Sequence, residues 1–199
     1  MAQVLVRAAA AQDAEAACDG AGRALRFLAR VDLAPPHVTR IDILDRLPGA
    51  LDGRAVGCYL RETGRIPMLS YAAFAAVGTW FRMPVDGELY RAVAAHEMAH
   101  AVVGCHAGPP SLPVAAHEYV AYVALFATME PRLRERLLAK FSGTGFGSTL
   151  EINDMNHFAN PNQFGVDAWR HYLRRSNRDA WLREVIAGRV VDTWPTDGP

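Results

Sequence analysis

The sequence predicts an α+β protein, with a small mixed sheet and helices in its N-terminal half and a mainly helical C-terminal half. Candidate strands lie before Asp86, whereas apolar residues recur at helical spacing from there almost to the end. The length of 199 residues suits one domain with a sizeable core. We therefore expect one domain over residues 1–189, formed by an α/β lobe (1–85) and a helical lobe (86–189), and then a flexible tail (190–199).

The N-terminal lobe is predicted to begin with a strand over residues 3–8. A helix follows, with Asp13 as its N-cap and an apolar stripe that continues to Leu28. The Pro-Pro pair at 35–36 ends this unit. Residues 38–44 then alternate well enough to form a second strand.

A hairpin and a helix complete this lobe. Predicted strands over 55–60 and 65–69 flank the turn sequence Glu-Thr-Gly at 62–64, which predicts the hairpin. Pro67 cannot donate a backbone hydrogen bond, so its strand should lie at a sheet edge. Residues 70–81 are predicted to form a helix.

The second lobe is predicted to contain helices over residues 88–103, 113–129, 132–141, 150–159, 164–175 and 178–187. The glycine-rich segment 143–147 is a flexible connection. It matches no phosphate-binding motif, because no strand precedes it and no Gly-Lys-Ser/Thr follows it.

Charge and composition exclude several classes of protein. Twenty-one basic residues balance twenty-one acidic ones, which argues against nucleic acid as a partner, because nucleic-acid binding usually depends on a basic surface. No apolar run reaches the roughly 18 residues that cross a bilayer, so no membrane span is expected. The N-terminal residues do not resemble a signal peptide, which makes the cytoplasm the default location. Export is the alternative if a leader has been removed.

The three cysteines are too few and too scattered for a disulfide framework or a cysteine-rich zinc site. Cys18 and Cys58 could pair in an exported protein. We expect them instead to be free, buried thiols.

Histidines are concentrated in one segment, where residues 96–100 read His-Glu-Met-Ala-His. Histidines four residues apart lie on one helix face, one turn above the other, and can share a zinc ion. Glu97 points away from both and can accept a proton from a water that the metal activates. The spacing therefore predicts His96 and His100 as ligands and Glu97 as general base.

The context of this motif strengthens the prediction. Every other residue from Ala92 to Val103 is apolar, so the helix should be buried. Two imidazoles and a carboxylate are costly to bury unless a partner compensates them. The alternative is that both histidines are ordinary core residues that are hydrogen-bonded to backbone or hydroxyl groups. That arrangement would leave the carboxylate of Glu97 without a partner, whereas a bound cation would compensate the burial of His96, Glu97 and His100.

A zinc site needs a third protein ligand, and three residues are candidates. Glu118 interrupts the apolar stripe of the next helix, where a carboxylate needs a buried cation or donor. His106 has the spacing of the motif HExxHxxGxxH, but Val103 stands where that motif needs glycine. His117 adjoins Glu118, and adjacent helical residues point about 100° apart, so only one of the two can face the metal. We favour Glu118 over His106, and His106 over His117.

The segment from Asp86 to Met129 resembles the gluzincin metallopeptidases, in which one helix supplies HExxH and the next supplies a glutamate. The resemblance rests on His96, Glu97, His100 and Glu118. The setting Ala-His-Glu-Tyr-Val-Ala at 116–121 is similar to the family's second motif, and the whole chain looks closest to compact, uncharacterised bacterial members. The resemblance implies a zincin-like fold and one zinc ion.

Two departures from the gluzincin pattern matter. Tyr122 stands one turn after Glu118, where thermolysin-like members have an acid that orients a histidine ligand. The downstream residue that steadies the oxyanion is not recognisable either. Four residues are candidates for it, each expected to be structural rather than catalytic: Tyr122, His157, His171 and Tyr172.

These patterns predict a zinc-dependent peptidase that acts on a peptide or protein, with Glu97 passing the proton to the leaving amine. An extended substrate could add as a strand to the edge at 65–69. The alternative is a zinc-binding, catalytically inactive protein that uses a peptidase-like scaffold as a binding module. Its site would be closed by a fourth protein ligand such as His106 or Cys105.

Overall fold

The computed structural model describes residues 3–33, 38–51, 53, 55–107 and 112–190, and it has the mixed α+β architecture that the sequence predicts. The strands in these ranges are β1 (Gln3–Arg7), β2 (Val38–Leu44), β3 (Arg65–Leu69), β4 (Thr79–Trp80) and β5 (Met83–Pro84). The helices are α1 (Ala11–Ala29), α2 (Tyr71–Ala75), α3 (Gly87–His106), α4 (Val114–Thr128), α5 (Pro131–Leu138), α6 (Asp154–Ala159), α7 (Pro161–Arg174) and α8 (Arg178–Ile186). The Pro-Pro pair at 35–36 and all but the first residue of the predicted tail lie outside the described residues.

Strands β1, β2 and β3 form a parallel sheet in that order. Parallel neighbours need a long connection, and α1 supplies the one between β1 and β2. Alternation along the strands places Ile41 and Ile66 opposite each other, and both side chains are buried in the core. The face that carries them packs against the helices.

The predicted hairpin forms only in part. Residues 56–60, here called the edge segment, make isolated antiparallel bridges to β3 at Gly57 and Leu60 rather than a continuous strand. The N–H of Cys58 also donates to the carbonyl of Pro67, at 3.0 Å. Strand β3 is the edge strand of the parallel sheet, as Pro67 predicts, but the edge segment already lies along it, so this edge is not open to an extended peptide.

The predicted helix over 70–81 is also wrong beyond its first turn. Ser70 caps α2 by accepting a hydrogen bond from the N–H of Ala73, but the helix ends at Ala75. Gly78 has a φ of +84°, and β4 and β5 then pair as a short antiparallel hairpin. A helix cannot pass through a residue in that left-handed conformation.

Two smaller predictions also need correction. Helix α1 starts at Ala11 without a side-chain cap, and the carboxylate of Asp13 instead accepts a hydrogen bond from the N–H of Tyr71. The predicted helix over 150–159 is divided into a 3-10 turn (Thr149–Glu151) and α6. The division matters because α6 has its own N-cap, Asn153.

Helices α3 and α4 lie at the centre of the helical packing. Helix α3 contacts α1 and α4, and α4 also contacts α7 and α8. Asp86 begins α3 by accepting a hydrogen bond from the N–H of Leu89, at 2.9 Å. Both central helices bury residues on all sides, so any polar side chain on them must find a partner inside the protein.

The three cysteines are free thiols. Cys58 is half-buried, but Cys18 and Cys105 are exposed, so the prediction of a buried thiol was wrong for Cys18. Among the described helices, none combines the length and the apolar character that a membrane span requires.

Candidate metal site

Helices α3 and α4 bring together the three residues that the sequence predicts as metal ligands. The Nε2 atoms of His96 and His100 are 3.1 Å apart. His96 Nε2 lies 3.4 Å from Oε2 of Glu118, and His100 Nε2 lies 3.5 Å from Oε1. Among the described residues, this is the group of histidine, cysteine and acidic side chains that is compact enough to hold a metal ion.

The spacing of these donor atoms fits zinc. Bonds of about 2.0–2.1 Å from a tetrahedral zinc ion place neighbouring ligand atoms about 3.3–3.4 Å apart. The three distances of 3.1, 3.4 and 3.5 Å lie around that value. Two neutral imidazoles and one carboxylate are also a ligand set that zinc accepts. The residues present therefore fit a zinc ion.

Two of the three donors, Glu118 and His100, are in the protonation state that binds a cation. Burial opposes ionisation of Glu118, but the neighbouring histidines outweigh it and lower the pKa of this carboxyl to about 2. Burial lowers the pKa of His100 to about 3, which keeps its imidazole neutral and a lone pair available. An ionised carboxylate beside a neutral imidazole is the state in which both bind a metal.

Glu97 is buried beside this cluster, and its pKa is shifted in the opposite direction from that of Glu118. Burial first and the nearby Glu118 second raise the pKa of Glu97 to about 7, although His96 partly opposes this. None of the described residues donates a hydrogen bond to its carboxylate. Glu97 can therefore exchange a proton near neutral pH, as a general base must.

The edge segment lies directly against Glu97. A Cβ atom on Gly57 would come within 2.9 Å of the Glu97 carboxylate, so only glycine leaves room for it. Farther along, a Cβ on Gly104 would lie 2.8 Å from the ring of Tyr59. The two glycines thus let the edge segment approach α3 closely, and sequence reasoning missed Gly57 because no local pattern distinguishes it.

The side chain of His157, from α6, also reaches the cluster. Its Nε2 lies 3.5 Å from Oε2 of Glu118. Helix α6 is held at this place by Asp154, whose carboxylate accepts a hydrogen bond of 2.7 Å from the N–H of Ala115 at the start of α4. The sequence includes His157 among the candidates for steadying the oxyanion, and the structure places it beside Glu118.

The other predicted site residues lie at different distances from the cluster. His106 is exposed at the last residue of α3 and does not join it. The ring of His117 lies 6.2 Å from that of His100, and Tyr122 packs 4.7 Å from the ring of His96. His117 and Tyr122 therefore surround the ligands without belonging to the group of donors that are close enough to share an ion.

Two further candidates for the oxyanion role lie elsewhere in the helical packing. His171 is buried, and its Nδ1 forms a 2.8 Å hydrogen bond with the hydroxyl of Tyr119. Tyr172 packs edge-on against Phe27 of α1. Both therefore have partners within the helical packing, away from the metal cluster.

The outer nitrogens of two site histidines find no hydrogen-bond partner in the described part of the chain. Nδ1 of His96 and Nδ1 of His157 are buried without a hydrogen bond among the described residues. Metal-bound histidines usually donate from this nitrogen to a carboxylate or carbonyl. The ring of Tyr122 packs 4.7 Å from that of His96 without accepting that bond.

Comparison with known proteins identifies a family for the chain, but the family has no assigned activity or ligand. The sequence model described as "Family of unknown function (DUF6639)" matches residues 4–194, a range that includes every residue of the candidate site. No curated protein and no solved structure matches the chain. The chemistry of the site has to follow from its side chains.

Proposed function

Because the chain belongs to DUF6639, a family of unknown function, we propose its activity from the site alone: zinc-dependent hydrolysis of peptide bonds. The observation that carries this proposal is the compact triangle of His96, His100 and Glu118, with the carboxylate of Glu97 buried beside it. A purely structural zinc site has no need of a second, uncoordinated carboxylate. Glu97 is therefore the reason to propose an enzyme.

In this proposal His96, His100 and Glu118 hold the zinc ion. Zinc bound there would acidify a water molecule and polarise the carbonyl group of the substrate. Glu97 takes the proton from that water and delivers it to the leaving amine, a role for which a pKa near neutrality is suited. Burial of Glu97 also keeps competing solvent away from the proton transfer.

Two further groups have roles in binding the substrate. His157 lies beside Glu118 and can donate a hydrogen bond from Nε2 to the carbonyl oxygen as negative charge develops on it. The edge segment bonds to β3 through Val56, Cys58 and Leu60. No described residue bonds to the N–H or C=O of Gly57. An extended peptide could add there as a further strand.

The position of His157 also supports a second candidate, a closed structural zinc site. If Nε2 of His157 moves onto the metal, four protein ligands surround the ion and no position remains for substrate. The protein would then be a zinc-stabilised binding module. The two proposals differ in what His157 does, and this can be tested.

The test combines metal analysis with hydrolysis of a peptide mixture by the zinc-loaded protein. His100→Ala should lose zinc, and equal zinc content in this variant and the wild type would contradict the ligand assignment. Glu97→Gln should keep zinc and lose hydrolysis, whereas retained hydrolysis would remove Glu97 as the base. His157→Ala should keep zinc and lower kcat about 100-fold if His157 steadies the oxyanion.

Cobalt substitution separates the two proposals without depending on activity. A Co²⁺ ion with an open position changes its visible spectrum when a small anion such as azide is added, whereas one held by four protein ligands does not. The peptidase proposal predicts the spectral change in the wild type. Weak metal binding by His157→Ala, together with an azide-insensitive wild type, would assign the closed structural site instead.

A further inference from the structure

A cavity lies on the face of the parallel sheet that is turned away from the helices. Because successive side chains of a strand alternate, Ile41 and Ile66 point into the core, whereas Asp42 and Leu44 belong to this second face. The volume of the cavity is about 670 Å³, within the range of about 300–1,000 Å³ that is usual for small-molecule sites. The cavity is therefore large enough to bind a ligand.

The cavity lies where strands β1 and β2 end. Arg7 is the last residue of β1 and Leu44 is the last residue of β2, and the turn at 8–9 forms a further part of the wall. Leu60 of the edge segment and Thr63 of the turn after it line another side. In open α/β sheets, ligands usually bind outside the carboxyl ends of the parallel strands. The position of the cavity follows this rule.

A buried carboxylate holds one cationic side chain against the cavity. The side chain of Asp42 is 7% exposed, and its Oδ2 lies 2.8 Å from Nε and 2.7 Å from Nη2 of Arg65. The side chain of Arg65 is 46% exposed, and no described residue accepts a hydrogen bond from its Nη1. Asp42 thus fixes the position of Arg65 and leaves part of the guanidinium available for a ligand.

Arg7 brings a second guanidinium to the cavity. It stands beside Asp42 in the pairing of β1 with β2, on the same face of the sheet. No described residue forms a hydrogen bond or an ion pair with its side chain. Asp42 is the one acidic residue among the described residues that line the cavity, and it already pairs with Arg65. A ligand with one negative charge would therefore supply the counterion that Arg7 lacks.

Much of the remaining wall is apolar. Four apolar side chains contribute to it: Leu44, Pro48, Leu60 and Pro67. Leu44 is 37% exposed, so an apolar group placed against it would bury further surface. A small inorganic anion would pair with the guanidinium groups but would leave these side chains in water. The charges and the walls together favour an acid that carries an apolar body.

We propose that this cavity binds a small monocarboxylate with an apolar body. The carboxylate binds to Arg7 and Arg65, since guanidinium groups bind carboxylates through paired hydrogen bonds. The apolar body packs against Leu44 and Leu60. No residue of the candidate metal site lines the cavity, so this inference does not depend on the proposed hydrolysis. Free organic acids and peptide C-termini share this chemistry, and the experiment distinguishes them.

Isothermal titration calorimetry of the zinc-loaded protein with phenylbutyrate tests the proposal, with two related compounds for comparison. Phenylbutyramide has the same apolar body without the charge, and acetate has the charge without the body. Phenylbutyrate should bind with a Kd below about 1 mM, and each of the other two compounds should bind about tenfold or more weakly. Equal binding of the acid and its amide would overturn the proposal, and so would the absence of binding by phenylbutyrate.

Two matched pairs of variants locate the site. Arg7→Gln should weaken binding about tenfold or more, whereas Arg40→Gln should not, because Arg40 is exposed on the same sheet face but does not line the cavity. Leu44→Ser should weaken binding about threefold or more. Leu5→Ser should not, because Leu5 is also 37% exposed on this face and lies outside the cavity. Equal effects within either pair would overturn the proposed site.

Two further arms exclude the metal site and identify the source of the carboxylate. A carboxylate can also bind zinc, so His100→Ala is titrated too, and its affinity for phenylbutyrate should equal that of the wild type. Loss of binding in this variant would assign the acid to the metal site and overturn the proposal. Acetyl-Ala-Ala-Leu with a free C-terminus, compared with its amide, tests peptides. Binding of this peptide acid more tightly than phenylbutyrate supports the proposal with a peptide C-terminus as ligand, and weaker binding supports it with a free organic acid.

Discussion

The carboxylate of Glu97 occupies the space that a side chain at Gly57 would need. A Cβ at Gly57 would lie 2.8 Å from Cγ and 2.9 Å from Oε1 of Glu97, closer than real Cβ contacts. Gly57 belongs to the edge segment and Glu97 to α3, so this contact sets the distance between the sheet edge and the candidate metal site. A side chain added at Gly57 should therefore disturb the position of Glu97.

Gly57→Ala should lower kcat/KM about tenfold or more without loss of zinc. The added methyl group must push aside either the Glu97 carboxylate or the edge segment, and small displacements of a general base are costly. Peptide hydrolysis and zinc content measured on the same preparation test this. Gly22→Ala in α1 is the control, because its Cβ meets only the flexible end of Arg26. Full activity in Gly57→Ala would contradict the proposed contact.

Replacing Glu118 should weaken zinc binding about 100-fold or more, whereas replacing His106 or His117 should change it little. The carboxylate of Glu118 lies within 3.5 Å of both histidine nitrogens, and His106 is exposed at the end of α3. Competition with a coloured zinc chelator measures the affinity of each alanine variant. A zinc affinity that depends on His106 as strongly as on Glu118 would show that the ligand set is wrong.

Removing zinc should lower the Tm by roughly 8–16 °C. A metal at about 1,000 times its Kd stabilises the native state by about 4 kcal/mol, and each kcal/mol changes the Tm by about 2–4 °C at this chain length. Thermal unfolding followed by circular dichroism, with and without a chelator, measures the change, and added zinc should restore it. His100→Ala should unfold at the same temperature in both conditions, and a chelator effect in that variant would contradict the assignment.

The stability of the protein should decrease as the pH falls from about 6.5 to about 4, in part because of His171. Burial first, and then Arg175 and Arg174, lower its pKa to about 4. The unfolded chain therefore binds a proton in this interval that the folded protein does not bind, and unfolding becomes more favourable. The expected contribution is about 1–3 kcal/mol.

Urea unfolding at several pH values measures this dependence. The hydrogen bond from Trp181 to the hydroxyl of Tyr119 leaves that hydroxyl free to donate to Nδ1 of His171, which protonation would prevent. His171→Leu should be less stable at pH 7 but should lose less stability on acidification. Parallel pH profiles for the wild type and the variant would exclude His171 as a cause.

The helices could be predicted because their pattern is local. Apolar residues at helical spacing identify α3 and α4, and the same geometry places His96 and His100 on one face. Glu118 could be predicted as well, because a carboxylate in a buried helix requires a partner. These inferences depend only on the residues within a few helical turns of each position.

The region after α2 could not be predicted from local pattern. Phe81 and Arg82 have positive φ values of 49° and 57°, which are unfavourable for residues other than glycine. Phe81 is nevertheless fully buried, with its ring edge-on to Tyr122 and Phe126. The burial of this ring offsets the unfavourable backbone, and the residues that bury it are distant in sequence.

The helical lobe, the pair of histidines on α3 and the carboxylate on α4 could be predicted from local pattern alone. Three contacts could be seen only in the folded protein: the edge segment along β3, Gly57 against Glu97, and His157 beside Glu118. The difference comes from the range of the interactions. Backbone hydrogen bonding and side-chain periodicity act within a helix, whereas these three contacts depend on how separate elements pack.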